Sequence, residues 1–374
     1  MKNGLLRGLV LTLLFTSALQ AQEPIRVGTI VHRNGPLAAS GQQSEAALKA
    51  YFDEVNSLGG VNGRKIDLVV ASVETADVQR VIDQNVIAFV GGVIAGHEKP
   101  INELIRTSHV PLIGPATLVP PVDLPLNPYG FYLMPGIKEQ ASALVNFAVT
   151  KPELKNAPAA IVYFEGELNT AGAGAVEGQA TSVGWKGVTK SVQSNDVIAV
   201  NLVQEFKLKR TQTVFFFGKP EQLKQLMQAC EAANITPTFL TIGAIAGADL
   251  SATVTPAFKD KFFLTFPSVP TDVTAADELR SMRDKYKLAA THPAMQFATL
   301  AAARVFVMAL TRSGNAPTRP GLVTSLEQLK DYETGYSPRI TFSKTRRVGA
   351  PGAYIITYDP ATKNLVPLGW TSAY

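Results

Sequence analysis

IRVGTIVHRNGPLAASGQQSEAALKAYFDEVNSLGGVNGRKIDLVVA, residues 25–71, holds a complete strand–helix–strand unit. Its first seven residues, IRVGTIV, are a β-branched run and read as a strand. Residues 42–58 then set Ala46, Ala47, Ala50, Tyr51, Val55 and Leu58 on one side of a helix. Gly59-Gly60 stops that helix, because glycine takes the left-handed backbone conformation at a helix end without steric cost. Val61-Asn62-Gly63 turns the chain into a second strand at 65–71. Strands joined through a helix lie parallel, with a right-handed crossover.

The alternation continues outward. A helix is expected near 74–83, a strand at 86–90, a helix near 99–107 and a strand at 110–113. Pro120, Pro121, Pro125, Pro128 and Pro135 then exclude a long regular element. Beyond them the pattern restarts, with strands at 159–164, 213–217, 238–242 and 262–266. Helices are expected at 172–183, 196–207 and 221–233, the last opened by Pro220. Further helices near 275–286, 293–311 and 319–330 precede strands at 340–342, 352–358 and 365–370. The chain thus reads as two similar α/β halves with a mixed tail. Open parallel sheets bind ligands at the carboxyl ends of their strands, and two such sheets face to face make a cleft.

The composition permits large cores: 46% of the 374 residues are hydrophobic and 17% charged, which excludes a disordered chain. Cys230 is the only cysteine, so neither an intramolecular disulfide nor a cysteine-cluster metal site can form. The net charge of +5 is not gathered into a long Lys/Arg stripe, which argues against nucleic acid as a partner. Lys2 and Arg7, the apolar run GLVLTLLFTSA at 8–18 and the small residue Ala21 read as a secretory signal over residues 1–21. That run is too short to span a bilayer. Residues 294–310 are also apolar, but Gln296 and Arg304 interrupt them, as in a helix buried in a core.

A search for catalytic chemistry finds little. His32, His97, His109 and His292 are scattered, and His97-Glu98 is followed by Lys99-Pro100 rather than by a metalloprotease pattern. The chain lacks a G-x-S-x-G elbow and a Walker-type phosphate loop. Gly172, Gly174 and Gly178 imitate a dinucleotide fingerprint, but Glu177 stands at the third glycine position, so packing glycines explain them better. Cys230 sits in an amphipathic helix and reads as a buried, inert thiol. Phe215-Phe216-Phe217 reads as core, with Phe217 the best placed of the three to face the cleft. Lys344, Arg346 and Arg347 form a basic cluster, read either as a solvated loop or as an anion or partner contact.

GPLAASG at 35–41, YFDEVN at 51–56, GGVNGRKI at 59–66, Val90-Gly91-Gly92 and VPLIGPAT at 110–117 together resemble the periplasmic substrate-binding proteins of the Leu/Ile/Val-binding type. Residues 321–329 and Ile340-Thr341-Phe342 extend that resemblance over essentially the whole chain after the signal. It implies the type I periplasmic binding protein fold: α/β, two Rossmann-like lobes with parallel sheets joined by three hinge crossovers near 133–135, 265–267 and 342–345. Lobe one would comprise 23–133 and 267–341, and lobe two 135–265 and 345–374. It also implies a solute-binding subunit of an ABC importer, monomeric and periplasmic. Such a subunit closes on a small molecule, docks on a membrane permease, uses no cofactor and catalyses nothing. The alternative is a sensory protein presenting its ligand to a membrane receptor.

Carried over from the resemblance, the ligand contacts fall on Ser40, Ile94, Ala95, Ala116, Thr117, Asn169, Gly218, Lys219 and Ile245. Ala95 stands where amino-acid binders place a carboxylate-reading serine, and Ile245 near where they place an acid for the α-ammonium. An ammonium in a closed cleft needs an anionic partner. Glu165, Glu167 and Asp249 are the nearby acids that could supply one. Otherwise the expected ligand is a neutral or apolar small molecule, or a carboxylate read by Thr117 and backbone N–H groups.

Overall fold

A computed structural model describes residues 23–122, 124–193, 199–246, 250–268 and 273–374. The expected signal segment lies outside these residues.

Strands β1 (Ile25–Val31), β2 (Ile66–Ser72), β3 (Phe89–Val90), β4 (Leu112–Ile113) and β5 (Gly130–Phe131) form one sheet in the order β2-β1-β3-β4-β5. Every pairing in it is parallel. Helices α1 (Ala38–Ser57), α2 (Thr75–Ile82) and α3 (Glu98–Ser108) make the crossovers. Much of the core on one face comes from far along the chain. Leu300, Phe306, Leu322 and Phe342 pack there with Phe52, Val90 and Phe131.

The second sheet contains β6 (Ala159–Phe164), β7 (Val188–Gln193), β8 (Thr213–Phe217), β9 (Thr238–Ile242) and β10 (Phe262–Phe266). These five are parallel, and β11 (Gly352–Asp359) and β12 (Asn364–Ser372) add an antiparallel hairpin beside β10. Helices α4 (Ile137–Val149) and α5 (Glu167–Ser182) cover one face. The other face carries α6 (Ala199–Lys209) and α7 (Pro220–Ala232). Strands β6 and β8 are buried throughout, which is why they read as unbroken apolar runs rather than alternations. Full burial of each phenylalanine of β8 contributes about 1.5–3 kcal/mol.

After the short helix α8 (Gly243–Ala246), the chain returns to the first lobe through α9 (Val273–Tyr286), α10 (Pro293–Arg312) and α11 (Arg319–Glu327). Helix α10 is long and apolar enough to cross a membrane, but Leu300–Ala303, Val305 and Phe306 are completely buried in the core of the first lobe. The chain stays beside the first sheet until Ala350, with the Tyr132 N–H donating to the Arg347 carbonyl at 2.8 Å.

Several sequence expectations need correction. Residues 340–342 are not a strand; Ile340 makes only an isolated bridge with Tyr332. The two-residue β5 and the edge strand β7 (VTKSVQ) carry no strand signal in the sequence, one being too short and the other too polar. Phe217 does not face the cleft: it is fully buried, with its ring against Gly172 of α5. A Cβ on Gly172 would lie 2.5 Å from that ring, so this glycine is a packing glycine, whereas Gly174 and Gly178 face open space. Of the basic cluster, Lys344 and Arg346 are exposed but Arg347 is buried.

Candidate ligand-binding cleft

The first wall forms where β1, β3 and β4 end. Gly92 has φ of +82°, and a Cβ there would lie 2.1 Å from the Ile30 carbonyl, so only glycine lets the loop leave β3 this way. Its N–H donates to Ser44 Oγ at 3.1 Å, and that hydroxyl meets Thr299 Oγ1 at 2.8 Å. This buried chain ties α1 and α10 to the loop. Val93 bridges Ala116, and the Ala116 N–H donates to the Gly92 carbonyl at 2.9 Å. The loops after β3 and β4 are thereby zipped together, which gathers Ile94, Ala95, Ala116 and Thr117. Ser40 follows β1 and is half-buried in the first turn of α1. The Ile94 side chain is fully buried among Ile30, Val78 and Ile101, leaving only its backbone for a ligand.

Glu98 and His32, which the sequence does not assign to the ligand, add polar groups to this wall. Thr117 Oγ1 donates to Glu98 Oε1 at 2.6 Å and accepts from the Val119 N–H at 2.9 Å. Its hydroxyl proton is therefore committed to Glu98. His32 Nε2 lies 3.0 Å from the Ala95 carbonyl, and the His32 and His97 rings meet edge-on at 5.4 Å. Tyr132 lies beneath, its hydroxyl buried; burial first, then the Glu98 carboxylate, push that hydroxyl well above the usual phenol range. The available sequence signal for Glu98 is its position: an acid opening the helix that follows β3, which suits the positive end of the helix dipole.

The second wall is a pocket of about 490 Å³ at the carboxyl ends of β6, β8 and β9. Asn169, Gly218, Lys219 and Ile245 all line it. Leu118, Ile137, Leu168, Pro220 and Ile242 make it mostly apolar. Lys219 precedes α7, whose Gln222 Oε1 accepts the Lys219 backbone N–H at 2.8 Å. Glu139 does the same for α4, accepting the Gly136 N–H at 2.9 Å, and burial pushes its carboxyl above the ordinary range.

The two walls meet at named contacts. Leu118, next to Thr117, lines the pocket, and its carbonyl accepts the Ile137 N–H at 2.8 Å. Lys99 Nζ lies 3.4 Å from Glu167 Oε1 across the rim, both side chains largely exposed. Glu167 is the acid at the pocket with a cationic partner, Glu165 is exposed, and Asp249 lies outside the described residues. The carried-over residues thus fall into two groups: Asn169, Gly218, Lys219 and Ile245 in one pocket, and Ser40, Ile94, Ala95, Ala116 and Thr117 in the segments that follow β1, β3 and β4, outside it. Among the described residues no group of three or more His, Cys, Asp or Glu side chains is placed to hold a metal ion.

Two open α/β sheets, with strand ends and a pocket between crossovers, define a cleft-type binding protein. The family model for periplasmic binding proteins matches residues 24–363, and the chain belongs to that family. It is 22% identical over 360 residues to Leu/Ile/Val-binding protein homolog 3 of Brucella melitensis, covering 93% of this chain and 94% of that one. It is 24% identical to the Leu/Ile/Val-binding protein BraC3 of Rhizobium johnstonii, covering 87% and 89%. Among solved structures, a branched-chain amino acid ABC transporter protein of Thermus thermophilus with bound valine superposes with a TM-score of 0.70 at 18% identity, covering 94% and 96%. A fatty acid ABC transporter substrate-binding protein of Thermomonospora curvata gives 0.68 at 18% identity, covering 94% and 93%.

Proposed function

We propose that this protein is the periplasmic solute-binding subunit of an ABC importer, capturing a small molecule between its lobes and handing it to a membrane permease. The observation that carries the reading is the apolar pocket of about 490 Å³ at the strand ends of the second sheet, which Leu118, next to Thr117 in the loop after β4, also lines. Family membership supports it, as do the relatives named for Leu/Ile/Val binding. The ligand first settles against one wall. Hinge bending where the chain crosses between the lobes then brings up the other wall. Contacts made only in the closed form hold the equilibrium there.

The ligand we infer has an apolar body that fills the space between Leu118, Ile137 and Ile245. Its polar end meets Asn169 and Lys219 on one side and Glu98 on the other. Thr117, with its proton committed to Glu98, does not read a carboxylate in this arrangement. Glu98 adds the anionic acceptor that Ile245 does not supply, so a ligand amine or hydroxyl has a partner.

A thermal-shift screen of refolded protein tests this, with branched-chain amino acids, aliphatic carboxylates, amines and polyols as panels. A ligand at 100 times its Kd adds about 2.7 kcal/mol. Ala244→Phe, on an exposed residue of the pocket rim, should abolish the shift without unfolding the protein. Small-angle scattering should show compaction with the ligand. A ligand whose shift survives Ala244→Phe, or that binds without compaction, refutes the reading.

A further inference from the structure

A second cavity, of about 470 Å³, lies beside the hinge and shares no lining residue with the cleft pocket. Its inner wall is aromatic. Tyr354 on β11 and Trp370 on β12 meet edge to face, with ring centroids 5.1 Å apart at 72°. Pro338 and Pro351 extend that rigid apolar surface. Two guanidinium groups, of Arg339 and Arg346, stand at its margin. Arg346 donates from Nε to the Val348 carbonyl at 3.3 Å and from Nη2 to the Gly349 carbonyl at 2.8 Å. Those bonds fix the plane of its fork. Arg339 has an exposed ion pair with Glu333 at 3.6 Å. Asp331 is the acid lining the cavity, and its carboxylate accepts from the Thr341 hydroxyl at 3.3 Å.

We propose that this hinge-side cavity is a second binding site, and that it takes a planar aromatic carboxylate. A ring of that kind lies against the Trp370 indole and the proline faces, where aromatic pairs gain more than their buried area alone provides. Its carboxylate meets the guanidinium forks, the side-chain geometry best matched to two coplanar oxygens. An aliphatic acid lacks the stacking, and a neutral aromatic amide lacks the charge. The walls also come from both lobes. Pro338 and Arg339 lie between Tyr336 and Ile340, which are packed in the first core, whereas Tyr354 and Trp370 ride on the second sheet. A hinge rotation therefore changes the cavity, and its occupant shifts the affinity of the cleft by the factor with which the cleft ligand shifts its own. This coupling rests on the hinge-closure reading; binding in the cavity does not.

The test is a titration with benzoate followed through the indole N–H resonances of the ¹⁵N-labelled protein. The two tryptophans, Trp185 and Trp370, give two signals that Trp370→Phe assigns. Trp185 is buried, its Nε1 donating to the Ala157 carbonyl at 2.9 Å, and serves as the internal reference. Benzoate should move the Trp370 signal saturably, with a Kd on the order of 1 mM for so small a ligand. Cyclohexanecarboxylate and benzamide should bind about tenfold more weakly, the equivalent of one charge-assisted hydrogen bond or one stacked ring. The double variant R339Q/R346Q should lose about tenfold in affinity, and R339Q alone, at an exposed side chain, should lose part of that. Ala244→Phe should leave benzoate binding unchanged. A Trp370 signal that does not move overturns the proposal, as does binding that Ala244→Phe removes while R339Q/R346Q keeps it. Compaction by a cleft ligand is measured separately, so failure here and failure of the importer reading are distinguishable.

Discussion

Replacing Glu327 by alanine should destabilise the first lobe by about 3 kcal/mol, the low end of what breaking a buried ion pair from one side costs. Arg347 Nη2 donates to Glu327 Oε1 at 2.7 Å, with side-chain exposures of 3% for the arginine and 15% for the glutamate. The guanidinium also lies 4.5 Å from the centre of the Phe131 ring, while its Nε and Nη1 have no hydrogen-bond partner among the described residues. Removing the carboxylate leaves a buried cation with only the ring to face, and the cation–π contact offsets about 1–2 kcal/mol of an otherwise larger loss. Glu327 keeps some contact with solvent, which holds the loss to that low end. At about 2–4 °C per kcal/mol for large domains, the transition should fall by about 6–12 °C. Differential scanning calorimetry reads it. Glu327→Gln, which retains an acceptor, should fall by less. The double variant E327L/R347M should recover most of the loss, because a packed apolar pair replaces a desolvated ionic one without penalty. If Glu327→Ala stays within about 1 kcal/mol of the parent, the pair is not a buried one in solution and the reasoning fails.

Four further outcomes are expected. Gly172→Ala should destabilise by about 1–3 kcal/mol, since its Cβ would press on the Phe217 ring, while Gly178→Ala, facing open space, should stabilise by up to about 1 kcal/mol; urea denaturation of both variants compares them. Burial pushes the Cys230 thiol up to about 12, so it should resist thiol reagents in the native protein at pH 8. Its folded pKa lies above the unfolded value, so the stability it contributes is complete below about pH 9 and is lost as pH rises toward 12. Relative to Cys230→Ala, the parent should therefore lose about 1.4 kcal/mol by pH 10, read from denaturation midpoints. Glu139→Gln should raise the melting temperature more at pH 7 than at pH 4: its carboxyl is also held above the ordinary range by burial, so its contribution fades as pH rises through the folded value.

The parallel core of this fold is legible because burial on both faces leaves a run such as AAIVYF with no polar residue to confuse the reading. Helices could be placed to within a few residues wherever one face was apolar; α1 begins at Ala38, earlier than the spacing alone suggested. Strand β7 escaped because VTKSVQ sits at an edge, where Lys190 reaches Glu177 at 2.9 Å and polar residues are tolerated. The same distinction explains the site. Asn169, Gly218, Lys219 and Ile245 come from the family resemblance, and they share one pocket because each follows a strand of the second sheet. The adjacent His97-Glu98 pair gives no such signal in the sequence, because the contact of Glu98 with Thr117 depends on Gly92 and Ala116 pairing across two loops. Arg347 looked like one of three loop cations, and only the return of the chain past Tyr132 puts it inside.

The contribution of α10 to the first core sets an order of assembly. Phe131 and Leu279 share that core but are separated by roughly 150 residues, nearly the whole second lobe, and the entropy of closing so long a loop must be met before their contact stabilises anything. The five parallel strands of the second sheet all lie between Ala159 and Phe266 and need no such wait. A growing chain therefore has its later-made half ready first. The earlier-made strands have α1 on the face that carries Val27, Val90 and Ile113, but that face is not fully covered until α10 arrives. During that interval the first third of the protein is a substrate for whatever protects unfolded chains, and variants that slow the docking of α10 would be felt in yield before they are felt in binding.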